Sequence, residues 1–256
     1  MAKTAQDQFS RFTRAPSKYQ YRLIGASYGE AGTGKTSFWL GAPGPIVVQT
    51  LDAGLEGVVE AYTEKKDIYV ANYDLGATVG ETFTHAATVE ARDKFIEDFE
   101  HALRVARTII WDRESDVWNM FYYAEFGTDD AFGAAAARDW DKLKGKLRRM
   151  IAMAKATTVN LGLIQGMKNE WGQKVNSSGK KAATPTGRRI RSGMDDLESL
   201  VHMDLEHTRE NGEFSIRVNK SRGPGGSDVQ DQSFAGTGFV DLAQLVFPDS
   251  DESDWT

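Results

Sequence analysis

Residues 29–36 of this 256-residue chain read GEAGTGKT, which satisfies the phosphate-binding pattern G-x-x-x-x-G-K-[ST] completely. The apolar stretch at 21–27 (YRLIGAS) comes directly before the motif and predicts a buried strand. A helix-competent run through residues 38–40 follows it and ends at the Gly-Ala-Pro-Gly sequence of 41–44. The alternative is a chance match in a glycine-rich turn, but a strand before and a helix after are the context that the motif requires.

Each part of the motif suits a bound triphosphate. Gly29, Gly32 and Gly34 permit backbone conformations closed to other residues, so that successive N–H groups can face phosphate oxygens. The start of the helix adds a positive dipole end, Lys35 can neutralise the β- and γ-phosphates, and the Thr36 hydroxyl can ligate magnesium. We therefore expect ATP, or a similar nucleoside triphosphate, and Mg²⁺ as cofactors. The predicted nucleotide-binding residues are Gly29, Glu30, Ala31, Gly32, Thr33, Gly34, Lys35, Thr36 and Ser37.

Strand and helix patterns alternate as far as residue 165. Apolar runs at 45–51, 67–73, 107–111 and 158–165 predict strands, and apolar residues at helical spacing in 87–106 and 140–154 predict helices. This alternation predicts an α/β fold with a mostly parallel sheet flanked by helices. Asn211-Gly212 between two alternating stretches predicts a C-terminal antiparallel hairpin. The predicted divisions are an N-terminal arm (1–20), one domain (21–247) and an acidic tail (248–256).

Composition restricts the class of protein. Apolar residues make up 40% of the chain, enough for a sizeable core, and the absence of cysteine excludes disulfides and thiolate zinc sites. No stretch approaches the roughly 20 apolar residues of a membrane span, and the first residues contain no secretory signal. We therefore expect a cytoplasmic protein without a membrane partner. The net charge of −6 argues against a general affinity for nucleic acid.

Polar side chains at the ends of the predicted strands are the candidates for catalysis. Asp112 follows the strand at 107–111, which we expect beside the motif's own strand, so its carboxylate could help to hold magnesium; alternatively it caps the next helix. Asp52 and Glu56 follow the second strand, and either could activate the attacking water or simply face solvent. Gln165 ends a later strand, where it could sense the γ-phosphate or serve a structural purpose.

Four segments in the same order resemble the RecA-like branch of P-loop ATPases, especially compact phage ATPases that include single-strand annealing recombination proteins. They are SYGEAGTGKT (27–36), TLDAGL (50–55), TIIWDRESDVW (108–118) and NKSRG (219–223). The resemblance covers about 21–224. It implies that Asp52, or Glu56 with a shift, is the catalytic acid, and that Lys220 and Arg222 reach a neighbouring subunit's γ-phosphate. It also implies assembly into a ring or filament and, for a phage-encoded protein, a location in the bacterial host cell.

The segment 166–191 is strongly basic and is predicted to be a long functional or mobile loop. The resemblance places at this position the loop that contacts DNA. Lysine and arginine supply phosphate contacts, and an exposed tryptophan can stack on a base; the alternative is a solvated surface loop. The predicted DNA-binding residues are Lys168, Trp171, Lys174, Lys180, Lys181, Arg188, Arg189 and Arg191.

The last ten residues, FPDSDESDWT, are rich in acids and serines. They could mimic nucleic acid, bind a partner protein or form a disordered solubilising tail, and the last is our default expectation.

Three functions are compatible with these features. The first is a phage-type recombination ATPase that binds single-stranded DNA and promotes annealing or strand exchange. The second is a DNA motor such as a helicase or helicase loader, and the third is a nucleotide-gated regulatory NTPase that does not bind DNA. Stimulation of hydrolysis by DNA separates the third from the other two.

Overall fold

A computed structural model describes residues 21–51, 54–55, 57–73, 84–127, 137–175 and 181–255. The strands in these ranges are β1 (Ile24–Tyr28), β2 (Ile46–Thr50), β3 (Ile68–Asn72), β4 (Thr108–Asp112), β5 (Asn160–Gln165), β6 (Met167–Val175), β7 (Lys181–Arg191), β8 (Met203–Glu210), β9 (Glu213–Ser221) and β10 (Ser233–Ala235). The helices are α1 (Lys35–Leu40), α2 (Glu60–Thr63), α3 (His85–Val105), α4 (Glu114–Phe126), α5 (Ala137–Lys155), α6 (Leu197–Leu200), α7 (Gly226–Val229) and α8 (Phe239–Val246), followed by a 3₁₀ turn at Glu252–Trp255.

Eight of these strands form one sheet in the order β10-β9-β8-β1-β5-β4-β2-β3. All pairings from β8 to β3 are parallel, whereas β9 and β10 are added antiparallel. The predicted mostly parallel sheet with a C-terminal antiparallel hairpin is confirmed. The expectation that the Asp112 strand lies beside the motif's strand is wrong, because β5 pairs with both β1 and β4 and separates them.

Helices pack on both faces of the sheet, as the side-chain alternation of the strands requires. On β4, Ile109 and Trp111 belong to one apolar cluster while Ile110 belongs to the other. Residues of α3, α4 and α5 complete the first cluster, and residues of α1 and α8 complete the second. The described helices include none that is long and apolar enough to cross a bilayer.

The basic segment 166–191 differs from the predicted loop. Its described residues form β6 and β7, which pair antiparallel as a separate two-stranded sheet with a register shift between Asn169 and Trp171. A run of cations hides the strand pattern, because charged side chains on both strands interrupt the apolar alternation that sequence analysis relies on. We call this element the basic hairpin.

The acidic tail is not disordered over its described residues, which corrects our default expectation. Trp255 is only 1% exposed, and its ring lies 5.7–6.0 Å from the rings of Tyr21, Phe239 and Phe247. Its indole N–H donates to Ser250 Oγ at 2.9 Å. Burial of one large aromatic ring therefore outweighs the polar composition of the segment.

Candidate nucleotide-binding site

The phosphate-binding loop lies between the end of β1 and the start of α1. Gly29 and Gly34 have φ angles of 149° and 83°, in the region that side chains disfavour. A Cβ atom on Gly29 would also lie 2.2 Å from the carbonyl oxygen of His207 on β8. The sequence motif therefore has a steric basis, since the loop turns tightly against the neighbouring strand.

Lys35, the first residue of α1, points into this loop. Its Nζ donates to the carbonyl oxygens of Gly29 at 2.9 Å and Glu30 at 2.7 Å, with Thr33 Oγ1 at 3.3 Å. Partial burial lowers the pKa of Lys35, although the charges of Asp112 and Glu30 oppose that shift. An ammonium on a flexible stem can exchange these carbonyl oxygens for phosphate oxygens, so the contact fits the predicted role.

Thr36 and Asp112 meet as the magnesium prediction requires. Thr36 Oγ1 donates to Asp112 Oδ1 at 3.2 Å, although one strand lies between β1 and β4. The pair fits Mg²⁺, which commonly takes one or two protein oxygens and completes its shell with water and phosphate oxygens. No group of three His, Asp or Glu side chains suited to a metal occurs among the described residues.

The two candidate water-activating acids, Asp52 and Glu56, lie outside the described residues. The described part of β2 ends at Thr50, which pairs with Asp112 at the end of β4. Both candidate acids stay predictions.

Gln165 is fully buried at the end of β5 and contacts a residue that the sequence did not single out. Its Nε2 donates to Glu114 Oε2 at 2.8 Å and to the carbonyl oxygen of Met194 at 3.3 Å. Burial raises the pKa of Glu114 to about 7, and the hydrogen bond from Gln165 opposes the shift. A Cβ atom on Gly193 would lie 2.1 Å from Glu114 Oε2. Glu114 thus joins the ends of β4 and β5 to the chain that leaves the basic hairpin.

Glu114 could have been suspected because it lies two residues after Asp112. The sequence does not indicate that it is buried, since an acid at the start of a helix usually faces solvent and favours the helix dipole. Its burial depends on Gln165 and Met194, which are far away in the chain.

The basic hairpin is attached to the phosphate-binding loop by an ion pair. Arg189 donates from Nε and Nη2 to the two carboxylate oxygens of Glu30, at 2.8 and 2.9 Å. Arg189 also donates to Asn169 Oδ1 at 2.9 Å and to the carbonyl oxygen of Met167 at 3.0 Å. The bidentate contact holds the pKa of Glu30 below its ordinary value. Glu30 therefore links the nucleotide loop to the hairpin, a contact that we call the Glu30–Arg189 latch.

Glu30→Gln is expected to loosen the basic hairpin without unfolding the protein. Both partners of the latch are about half exposed, and exposed ion pairs contribute little to global stability. We expect tryptic cleavage at Lys168 and Arg188 to become about two- to fivefold faster, because cleavage of a locally opened segment follows the population of its open form. The melting temperature should change by less than about 2 °C.

Glu210→Gln is the matched control, since Glu210 is an exposed acid on the other hairpin. It should leave the cleavage rate in 166–191 unchanged. Equal cleavage rates in wild type and Glu30→Gln would contradict a role for the latch in holding the hairpin.

Seven of the eight predicted DNA-binding residues divide into three groups. Lys168, Trp171 and Arg188 are exposed, Trp171 at 62%. Arg189 is engaged by Glu30. Lys180 lies outside the described residues, and Lys174 and Lys181 lie on the hairpin strands, but nothing is described of their side chains.

Arg191 is better explained as a structural residue than as a DNA contact. It forms an ion pair with Asp204, which is 2% exposed, and its guanidinium lies 3.8 Å from the centre of the Tyr28 ring. Removing it would leave a buried carboxylate without its countercharge. Arg191 therefore anchors the base of the basic hairpin to β8 and β1.

Lys220 and Arg222 lie at the opposite edge of the sheet from the chain's own phosphate-binding loop. Ser221 pairs with Met203 at the start of β8, and Met203 pairs with Gly25 near the start of β1. Lys220 Nζ donates to the carbonyl oxygen of Glu198. Neither cation is placed to contact a nucleotide bound by the same chain.

A family model described as an AAA domain matches residues 22–221, which is most of the chain. Among solved structures, the chain is similar to a KaiC-like protein from the hyperthermophilic archaeon Pyrococcus horikoshii OT3, at 13% identity and a TM-score of 0.42, with 84% of each chain covered. No curated protein matches the chain significantly in sequence. The family match extends from β1 to the end of β9 and so includes the phosphate-binding loop, Asp112 and the basic hairpin.

Proposed function

This chain belongs to the family of AAA-domain proteins and is a P-loop ATPase, and we propose that it acts on single-stranded DNA with ATP and Mg²⁺. The observation that carries the DNA proposal is the basic hairpin, which presents exposed cations and a tryptophan and is tied to the phosphate-binding loop through the Glu30–Arg189 latch.

The nucleotide chemistry follows from three side chains. Lys35 would neutralise charge on the transferring phosphoryl group, which is the main requirement of phosphoryl transfer, and the contacts of its Nζ within the phosphate-binding loop support this role. Thr36 and Asp112 would hold Mg²⁺, which supplies further neutralisation of the β- and γ-phosphate oxygens when bound. Asp52 or Glu56 would orient or deprotonate the attacking water.

One face of the basic hairpin carries two exposed cations that suit a single strand. Lys168 pairs directly with Ile190, and Arg188 lies two residues before Ile190, so these exposed residues share one face, whereas Arg189 and Arg191 alternate to the other. The two cations on this face can contact consecutive phosphates. Trp171 lies two residues after Asn169, which belongs to the Arg189 face, and its exposed ring can stack on a base without reading its identity. These features support binding that depends on strand form and salt more than on sequence.

Self-assembly would complete the ATPase site. Burial lowers the pKa of His202 to about 4, and the nearby charges of Lys155, Arg22, Arg222 and Lys220 add to that shift. Such a concentration of cations, distant from the chain's own nucleotide loop, favours contact with an anion on another copy. We propose that Lys220 and Arg222 serve a neighbouring subunit's γ-phosphate in a ring or filament.

The biological role that we propose is phage-type recombination by annealing of complementary single strands. The order of the four motifs that resemble compact phage ATPases supports this role over a DNA motor. Annealing and unwinding assays on the same preparation distinguish the two.

Single-stranded DNA is expected to stimulate ATP hydrolysis severalfold, and Lys168→Ala/Arg188→Ala is expected to abolish that stimulation. Both side chains are exposed on the same face of the hairpin and are not part of the latch. If each contacts one phosphate, the slope of log K against log[salt] for a labelled oligonucleotide should fall by about 1.4, because each contact to a single strand contributes about 0.7. Fluorescence anisotropy at several salt concentrations measures the slope.

Lys65→Ala/Lys94→Ala removes the same charge from exposed positions outside the basic hairpin and should keep both the stimulation and the slope. Hydrolysis that is indifferent to DNA would contradict the proposal and would favour a nucleotide-gated regulatory NTPase whose hairpin binds a different partner.

A further inference from the structure

An exposed aromatic side chain lies beside the phosphate-binding loop. Phe214, near the start of β9, is 43% exposed, whereas Ile216 and Val218 of the same strand are buried. Its ring carbons lie 3.0–3.7 Å from the position that a Cβ atom on Gly34 would occupy. Glycine at this position therefore both permits the loop's backbone conformation and leaves room for the ring.

Arg209 makes this aromatic residue part of a composite surface. It pairs with Phe214 across the β8–β9 hairpin, and its guanidinium carbon lies 4.8 Å from the ring centre. A guanidinium over an aromatic face is a favourable arrangement, and both planar groups can stack on a nucleobase. We call the two side chains the Phe214–Arg209 platform.

The β8–β9 hairpin extends beyond the carboxyl end of β1, and the platform lies on that extension. Tyr28, the last residue of β1, pairs with Glu206 of β8, so the rest of β8 and the start of β9 extend beyond β1. The carbonyl oxygen of His207 in this extension faces Gly29. The hairpin therefore borders the phosphate-binding loop on the β8 side of β1.

The candidate magnesium ligand Asp112 lies on the opposite side of the phosphate-binding loop from the β8–β9 hairpin. Asp112 belongs to β4, and both β4 and β5 lie on the side of β1 opposite to β8. Mg²⁺ held by Thr36 and Asp112 would neutralise the phosphate end of a bound triphosphate, and the base is at the other end of that molecule. A nucleotide whose β- and γ-phosphates face Thr36 and Asp112 therefore directs its base towards the β8–β9 hairpin.

We propose that Phe214 and Arg209 form the base-binding platform of the ATP site. This inference rests on the proposed binding of ATP and assigns the residues that bind its adenine. Stacking on a ring and a guanidinium distinguishes a nucleotide from inorganic polyphosphate, but it reads no hydrogen-bond pattern and so selects weakly between adenine and guanine.

Isothermal titration of the full chain with ATP and with inorganic tripolyphosphate, both with Mg²⁺, tests the platform. Phe214→Ala is expected to weaken ATP binding about tenfold or more, the factor that stacking of one base supplies, and to leave tripolyphosphate binding unchanged. Phe214→Trp should bind ATP within about twofold of wild type, since it retains an aromatic face. GTP should bind wild type within about tenfold of ATP.

Two controls separate failure of the platform from failure of the ATP site. Lys35→Ala should weaken ATP and tripolyphosphate together, because it removes a phosphate contact. Tyr69→Ala, which removes a 61% exposed aromatic from the edge strand β3, should change neither. Wild type that fails to bind ATP would overturn both the proposed function and the platform. Wild type that binds ATP, with Phe214→Ala weakening both ligands equally or neither, would overturn the platform alone.

Discussion

Lys35→Ala is expected to reduce ATP hydrolysis at least about 100-fold, the size of effect seen when one donor that stabilises transition-state charge is removed. Lys35 Nζ already lies within the phosphate-binding loop, 2.7–2.9 Å from two loop carbonyl oxygens. Release of phosphate from ATP, measured under saturating Mg²⁺, tests the expectation. Chelation of Mg²⁺ from the wild type should cause a loss of similar size.

Lys66→Ala is the matched control because Lys66 has a similar environment at the other end of α1. Its Nζ donates to the carbonyl oxygens of Gly41 at 2.7 Å and Ala42 at 2.6 Å, and burial lowers its pKa as it does for Lys35. It caps the helix C-terminus, so its loss should lower stability and leave the rate per folded molecule unchanged. Hydrolysis that survives in Lys35→Ala would place the reaction outside this loop.

Gly162→Ala is expected to lower the free energy of unfolding by about 3 kcal/mol, towards the upper end for overpacking a close-packed core. A Cβ atom on Gly162 of β5 would lie 2.4 Å from Cδ2 of Trp39, and Trp39 is only 1% exposed. The indole cannot move away easily, because its N–H donates to Ser27 Oγ at 2.9 Å and its ring packs 5.5 Å from Phe239. Thermal unfolding should show a decrease in melting temperature of about 6–12 °C.

Gly145→Ala provides a control of opposite sign. Gly145 lies within α5, and a Cβ atom there would meet no atom within 4 Å. Because alanine favours the helix and restricts the unfolded chain, the substitution should stabilise the protein by about 0.4–1 kcal/mol. A Gly162→Ala variant as stable as wild type would mean that Trp39 does not pack against β5.

The parallel sheet could be predicted because its strands are short apolar runs bounded by glycine or polar residues, and α3 could be predicted from its apolar spacing. The order of the strands could not. Hydrophobic periodicity indicates that a segment is a strand but not which strand pairs with it, so the insertion of β5 between β1 and β4 became visible only in the folded sheet.

The tail and the basic segment are more ordered than their sequences predict, and for the same reason. Their compositions are polar, and composition predicts solvation. In the structure, Trp255 of the tail packs against the rings of Tyr21, Phe239 and Phe247. Two arginines of the basic segment, Arg189 and Arg191, form ion pairs with carboxylates on other elements. A few specific tertiary contacts are enough to order a segment whose average composition is hydrophilic.

The phosphate-binding loop was determined by the sequence alone, since its glycines, its lysine and its threonine lie within eight consecutive residues and their roles depend on local backbone geometry. Only the tertiary structure decided which groups surround that loop. Arg189 lies 159 residues from Glu30 in the chain, and Phe214, Asp112 and Glu114 come from other strands or helices. Such contacts depend on strand order and hairpin position, which are properties of the whole sheet and leave no signal in any single segment.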